Sequence, residues 1–365
     1  MVPNKISSIL NGLTSAIFVV DGDRKILLAN RAAVRLFGST SSGHQAEEAG
    51  LTGLDFVRAV RHPDCLKAID KVLSGHKKSR IVISLQKPVA VTYQVNVVEL
   101  NDGYEGADAL GLAKAVISFD DISHIREAEK MRSDFVANVS HELRSPLTAL
   151  SGFIETLKGS ARDDEQARMR FLDIMEGEAQ RMKRLIADLL SLSKVEVNEY
   201  VRPTKLVDVP QIIANVVTTL SSQAKEERTG ISLKSSSGNI SRLPGDKDQL
   251  TQVFQNLIEN AIRYSDNDTE IIISIEKLER SYGMSGPVLA IEIRDQGAGI
   301  PAHHISRLTE RFYRIDSGRS RAKGGTGLGL AIVKHILNRH RGRLEISSVK
   351  GVGSTFTVLL PQKTK

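Results

Sequence analysis

The chain has 365 residues, 41% hydrophobic and 25% charged, which fits a folded protein of about two or three domains and excludes a disordered one. Its single cysteine, Cys65, excludes a disulfide framework within the chain and fits a reducing compartment. The net charge of +7 is spread along the chain and aromatics are only 4%, so direct nucleic-acid binding is not expected.

The N-terminus, MVPNKISSILNGLTSAIFVVDGD, carries no secretory signal, because its apolar stretch breaks at Asn11-Gly12 and again at Asp21. Nowhere does an apolar run approach the roughly 20 residues that cross a bilayer. A cytoplasmic location is expected, with a membrane anchor absent from this chain; an anchor removed upstream would leave the same picture.

Over residues 1–120, short apolar runs alternate with turn residues. SAIFVVDGDRKILLANRAA reads as strand, Asp-Gly turn, strand and helix, and IVISLQ, VTYQVNVVEL and AKAVISF read as further strands. A small mixed sheet with helices on one side follows. The VVDGDRKILLAN opening and the closing FDDIS resemble a PAS sensor domain. The string VRAVRHPDCLKAIDKVL, 57–73, resembles the sensor domain of phosphate-regulon kinases. No haem or flavin ligand stands out, and His62 reads as structural or surface.

Residues 121–200 hold no strand pattern. Val136, Val139, Leu143, Leu147, Leu150, Ile154 and Leu157 form a coiled-coil-like stripe whose extra four-residue step falls near Pro146. A bend is expected at that proline, which removes a helix hydrogen bond. Residues 158–166 read as a connecting loop. A second helix follows, with Phe171, Ile174, Met182, Leu185, Leu189 and Leu192 as its seam. Two such helices cannot enclose a core alone, so a homodimeric four-helix bundle is expected.

On the first of these helices lies FVANVSHELRSPL, 135–147. His141 is two residues from both Val139 and Leu143, so it points away from the seam, as a nucleophile would and a core residue would not. Glu142 beside it is placed to hold or deprotonate the ring. Taken alone, the pair would read as two plain solvated residues.

Residues 201–365 switch to alternating helices (208–228, 246–264, 326–340) and strands (231–235, 270–278, 288–295, 343–348, 354–360), which predicts an α/β sandwich. Three clusters carry its chemistry. In QNLIENAIRYS, Asn256, Asn260 and Arg263 share one helical face, and carboxamide oxygens suit Mg²⁺. In DQGAGI, Asp295 can accept from an exocyclic amine of the kind adenine carries, and Gly297 and Gly299 allow close backbone approach. In GGTGLGLAIVKHI, glycines 325, 327 and 329 lead into a helix whose N–H groups can bind phosphate. The spacing fits neither a P-loop nor a dinucleotide fingerprint. Between the last two clusters runs a basic stretch that reads as a lid, in which Arg307, Arg311, Arg314, Arg319, Arg321 and Lys323 could face a triphosphate or simply solvent.

FVANVSHELRSPL resembles the phosphoacceptor box of sensor histidine kinases, and the three clusters, with GVGSTFTVLLP at 351–361, resemble the boxes of their ATP-binding domain, a GHKL or Bergerat-type fold. The resemblance implies an α+β multidomain chain with a PAS-like sensor at 1–120, a dimerisation and phosphotransfer hairpin at 121–200 and a catalytic domain at 201–365. It implies phosphorylation of His141 by ATP with Glu142 assisting, Asn260 as Mg²⁺ ligand, Asp295 reading adenine and Arg314 near the γ-phosphate. The wider ATP site would include Asn256, Arg263, Tyr264, Gly297, Gly299, Ile300, Lys323, Gly325, Thr326, Gly327, Leu328, Gly329 and Thr355. The implied partner is the receiver domain of a separate response regulator. Relatives carry Thr or Asn where this chain has Ser145, a position tied to dephosphorylating that partner. A GHKL-type ATPase or chaperone-like machine is the alternative, but such ATPases carry a glutamate where this chain has Asn256, and an amide cannot take a proton from water.

Overall fold

The computed structural model describes residues 4–38, 50–87, 89–100, 113–197, 199, 201–235, 242–284, 286–315 and 325–362. Two compact units divide the chain, Met1–Val136 and Ala137–Lys365.

In the first unit, α1 (Asn4–Asn11), β1 (Ala16–Val20), β2 (Ile26–Ala29), α2 (Arg31–Phe37), α3 (Phe56–Ala59), α4 (Pro63–Leu73), β3 (Lys78–Lys87), β4 (Val89–Glu99) and β5 (Ala115–Asp121) form one antiparallel sheet, ordered β2-β1-β5-β4-β3, with its helices. Asp21 builds the expected Asp-Gly turn by accepting from the backbone N–H groups of Asp23 and Lys25. The core closes around Phe18, whose ring lies 5.3–5.9 Å from those of Phe37, Phe56 and Phe119. Asn30 is buried yet satisfied: its oxygen accepts from Ile17 N and Ala33 N, and its amide donates to Leu10 O and Ser15 O. Burial pushes the Cys65 thiol up to about 12, which makes it an inert core residue.

Two long helices follow, α5 (Ser123–Lys158) and α6 (Glu165–Val197), joined where the sequence predicts a loop. At about 1.5 Å per residue each is on the order of 50 Å long. Pro146 lies inside α5 and is buried. Leu185 and Leu192 of α6 are buried, whereas Leu147, Ile154, Ile174, Ile186 and Leu190 are more than 40% exposed in the single chain.

The remaining elements are β6 (Leu206–Val207), α7 (Val209–Glu226), β7 (Thr229–Ser235), β8 (Leu243–Pro244), α8 (Lys247–Tyr264), β9 (Thr269–Leu278), β10 (Val288–Arg294), α9 (Ala302–Ile305), α10 (Gly329–Arg339), β11 (Arg343–Val349) and β12 (Gly353–Pro361). Five strands form a mixed sheet, β11-β12-β10-β9-β7, in which only β7 and β9 are parallel. Along β9 the isoleucines 271, 273 and 275 are fully buried with Leu257, Ile258, Ile332 and Ile336 of the helices. Each such side chain contributes about 1.5–3 kcal/mol of transfer free energy. Asp208 and Asp246 cap α7 and α8. His340 accepts from Asp246 N and is buried, which lowers its pKa and keeps it a neutral structural group. The paired β6 and β8, two residues each, were too short to be legible in the sequence.

Candidate active site

Asp295 follows β10 directly and is 4% exposed. One carboxylate oxygen, Oδ1, accepts from Gly297 N and Ser354 N, both at 3.1 Å. Burial raises its pKa, with those two backbone donors opposing the shift. Gly297 is required: a Cβ there would run into the Tyr264 carbonyl at the end of α8. Beside it, Ile300 N donates to Ser348 Oγ, and Thr355 pairs in register with Arg294. The loop after β10, the end of α8 and the start of β12 thus meet at one buried carboxylate.

On α8, Asn256 donates to Gly329 O at 3.3 Å and so braces the first turn of α10. Asn260 is half-buried one turn further on, and Arg263 and Tyr264 close the helix. The glycine-rich turn covers Gly325, Thr326, Gly327 and Leu328. Gly327 has φ +74°, and a Cβ on it would lie 2.9 Å from the Phe312 backbone, while Phe312 N donates to Gly327 O. Leu328 is buried and anchors α10. Among the described residues no group of three or more His, Cys, Asp or Glu is arranged to hold a metal ion. A hard divalent ion held by one carboxamide oxygen and phosphate oxygens remains compatible with this donor set.

His141 is exposed on α5, as expected of a side chain turned off the seam, and Ser145 is exposed one turn on. Glu142 is not exposed. Its Oε2 accepts from Arg181 Nη2 of α6 at 2.7 Å and from Arg314 Nη2 at 3.3 Å. Arg314 therefore brings the predicted lid to the residue next to His141. Two further contacts join the same surfaces. Thr326 Oγ1 donates to Asp188 Oδ2 at 2.6 Å, and Arg311 pairs with Glu196 at 2.6 Å. Arg307 instead pairs with Glu310 and lies over the Tyr313 ring, 4.3 Å from its centroid. Arg319, Arg321 and Lys323 lie outside the described residues.

Arg181, Asp188, Glu196 and Glu199 of this region escape a sequence reading. Glu199 accepts from Asn338 and faces His335 at 3.0 Å; burial pushes its pKa up, but these hydrogen bonds together with the nearby His335 and Lys334 charges bring it below the usual value. Asp188 and Glu196 stand among many polar positions of α6 and Glu199 lies just beyond its end, so no periodicity marked them.

Comparison with known proteins agrees with this geometry. Residues 245–364 match the family of histidine kinase-, DNA gyrase B- and HSP90-like ATPases, 131–198 match the His Kinase A phospho-acceptor domain, and 4–45 match the PAS fold. A phosphoacceptor hairpin joined to an ATPase domain of this type is the pairing that defines the sensor histidine kinases, and residues 131–198 and 245–364 of this chain belong to those two domain families. It is similar to the phosphate regulon sensor protein PhoR of Pseudomonas aeruginosa, 43% identical over 65% of this chain and 52% of that one. It is 40% identical to the sensor-like histidine kinase SenX3 of Mycolicibacterium smegmatis over 68% of this chain and 62% of that one. The sensor protein kinase WalK of Staphylococcus aureus is 28% identical over 98% of this chain and 55% of its own length. The chain therefore spans between half and two thirds of these relatives. Among the described residues no helix is long and apolar enough to cross a membrane.

Proposed function

We propose that the chain is an ATP-dependent protein histidine kinase that phosphorylates its own His141 and passes the phosphoryl group to an aspartate of a response regulator's receiver domain. The observation that carries this reading is the position of Glu142, next to an exposed His141 and hydrogen-bonded to Arg314 of the ATP-binding domain. An imidazole nitrogen with a free lone pair attacks the γ-phosphorus, the bond to the ADP oxygen breaks, and the ring's other proton is drawn toward Glu142. Asp295 Oδ2 is left to accept from the adenine amine, because the two backbone donors occupy Oδ1. Asn260 would hold Mg²⁺ through its carboxamide oxygen, where the ion would offset phosphate charge. Asn256 offers no base for hydrolysis; it binds Gly329 O, which favours transfer to a side chain over transfer to water.

In this reading residues 1–120 act as a PAS-like sensor, 121–200 as the dimerisation and phosphotransfer hairpin, and 201–365 as the catalytic domain, in a cytoplasmic homodimer. Ser145 would orient water for dephosphorylating the partner. The 57–73 string and the similarity to PhoR support phosphate-responsive signalling. The test is incubation with γ-labelled ATP and Mg²⁺. Acid-labile, base-stable label on the protein is expected; release of phosphate without labelling would favour a GHKL-type ATPase.

A further inference from the structure

Glu142 is gripped from two sides, and the two grips differ in kind. Arg314 belongs to the ATP-binding domain, whereas Arg181 belongs to α6, within the same hairpin as Glu142. The ring of His141 has to meet the nucleotide and then a separate partner protein. A contact supplied by the ATP-binding domain changes between those two steps, but one supplied by α6 does not. The side chains of Arg181 and Glu142 are only 13% and 16% exposed, so their pair is largely withdrawn from water. Glu178, one turn before Arg181, lies 3.6 Å from its other amino group and steers the guanidinium plane. Arg181 and Glu142 also line one narrow cleft with Pro146, Met182, Leu185 and Thr326, which puts the pair where the glycine-rich turn reaches the hairpin.

We infer that Arg181 is a positioning residue for Glu142 in the phosphorylation of His141, an inference that rests on the kinase reading above. Its short charge-assisted hydrogen bond from Nη2 to Oε2 fixes the carboxylate rotamer beside His141 whether or not Arg314 is engaged. Without it, a carboxylate at this depth turns toward solvent or is captured wholly by Arg314, because a lone partly buried charge is costly. In either case the proton acceptor is misplaced relative to the imidazole, and misplacement lowers the rate of the chemical step rather than nucleotide affinity.

The experiment measures initial rates of acid-labile labelling of the full chain across ATP concentrations, for the parent and for Arg181→Ala, Arg181→Met and Arg181→Lys. Methionine keeps an apolar stem against Met182 and Leu185 while removing the charge. Alanine and methionine are expected to lower the saturated rate about tenfold or more with KM for ATP within about twofold, and lysine to recover to within about threefold of the parent. Light scattering and nucleotide binding are expected to match the parent throughout. Arg181→Ala labelling at the parent's rate overturns the inference. So does a loss carried by KM, a lysine variant as slow as alanine, or a loss that coincides with dissociation of the dimer, which would make Arg181 structural. A parent that takes no label removes the kinase reading itself, and the inference falls with it.

Discussion

Thr326 and Asp188 lie 138 residues apart in the chain and share a 2.6 Å hydrogen bond that fastens the glycine-rich turn to the second helix of the hairpin. Burial raises the pKa of Asp188, the Thr326 hydroxyl opposes the shift, Glu259 adds to it, and Arg184 and Arg263 oppose it. A carboxyl raised in the fold contributes stability that is fully present below its ordinary value and lost as pH rises through its folded value. Asp188→Asn does not titrate and its amide oxygen still accepts from Thr326. Its melting temperature should match the parent's in acid and exceed it increasingly toward neutral pH. Calorimetry between acid and neutral pH checks this; a gap independent of pH would contradict it.

Asp295→Asn separates folding from binding. The amide oxygen can keep both backbone donors, Gly297 N and Ser354 N, so the fold is expected to melt no lower than the parent. The new amide nitrogen faces the site proposed for the adenine amine with a donor instead of an acceptor. ATP affinity should fall by about 1–3 kcal/mol, on the order of 5- to 150-fold. Titration calorimetry with an ATP analogue measures it, and unchanged affinity would remove Asp295 from the adenine site.

Leu147, Ile154, Ile174, Ile186 and Leu190 are large apolar side chains left exposed on α5 and α6 of the single chain. That many on one helical hairpin calls for a partner to cover them. Light scattering of the chain should give about twice its 40.0 kDa mass at micromolar concentration. A monomer would contradict the four-helix bundle.

The helices and strands of the ATP-binding domain were legible because their signals are local: three glycines before an apolar helix, an aspartate ending a strand, two asparagines four residues apart on α8. The exposed His141 was legible for the same reason, from its spacing to Val139 and Leu143. What could not be read was pairing across distance. Arg314 meets Glu142 over 172 residues and Arg311 meets Glu196 over 115, and no periodicity encodes which carboxylate a lid arginine will find. The sequence left these arginines open between triphosphate and solvent; those described each have a carboxylate partner on the protein.

Ser145 lies exposed one turn from His141. Ser145→Ala should slow dephosphorylation of a phosphorylated receiver domain by about tenfold or more while leaving self-phosphorylation near the parent's rate, since only the former needs a hydroxyl to orient water. Single-turnover assays of both steps separate them. Equal dephosphorylation rates would leave Ser145 without that role.

Whether His141 is the phosphate acceptor is decided by His141→Ala in the self-labelling reaction. His141 is on the hairpin, and the ATP boxes are carried by other elements, so nucleotide affinity should stay at the parent's value. The variant should bind ATP normally and take up no acid-labile phosphate, as a histidine acceptor requires. Acid-labile label appearing on His141→Ala at the parent's rate would show that another residue is the acceptor and would contradict the assignment.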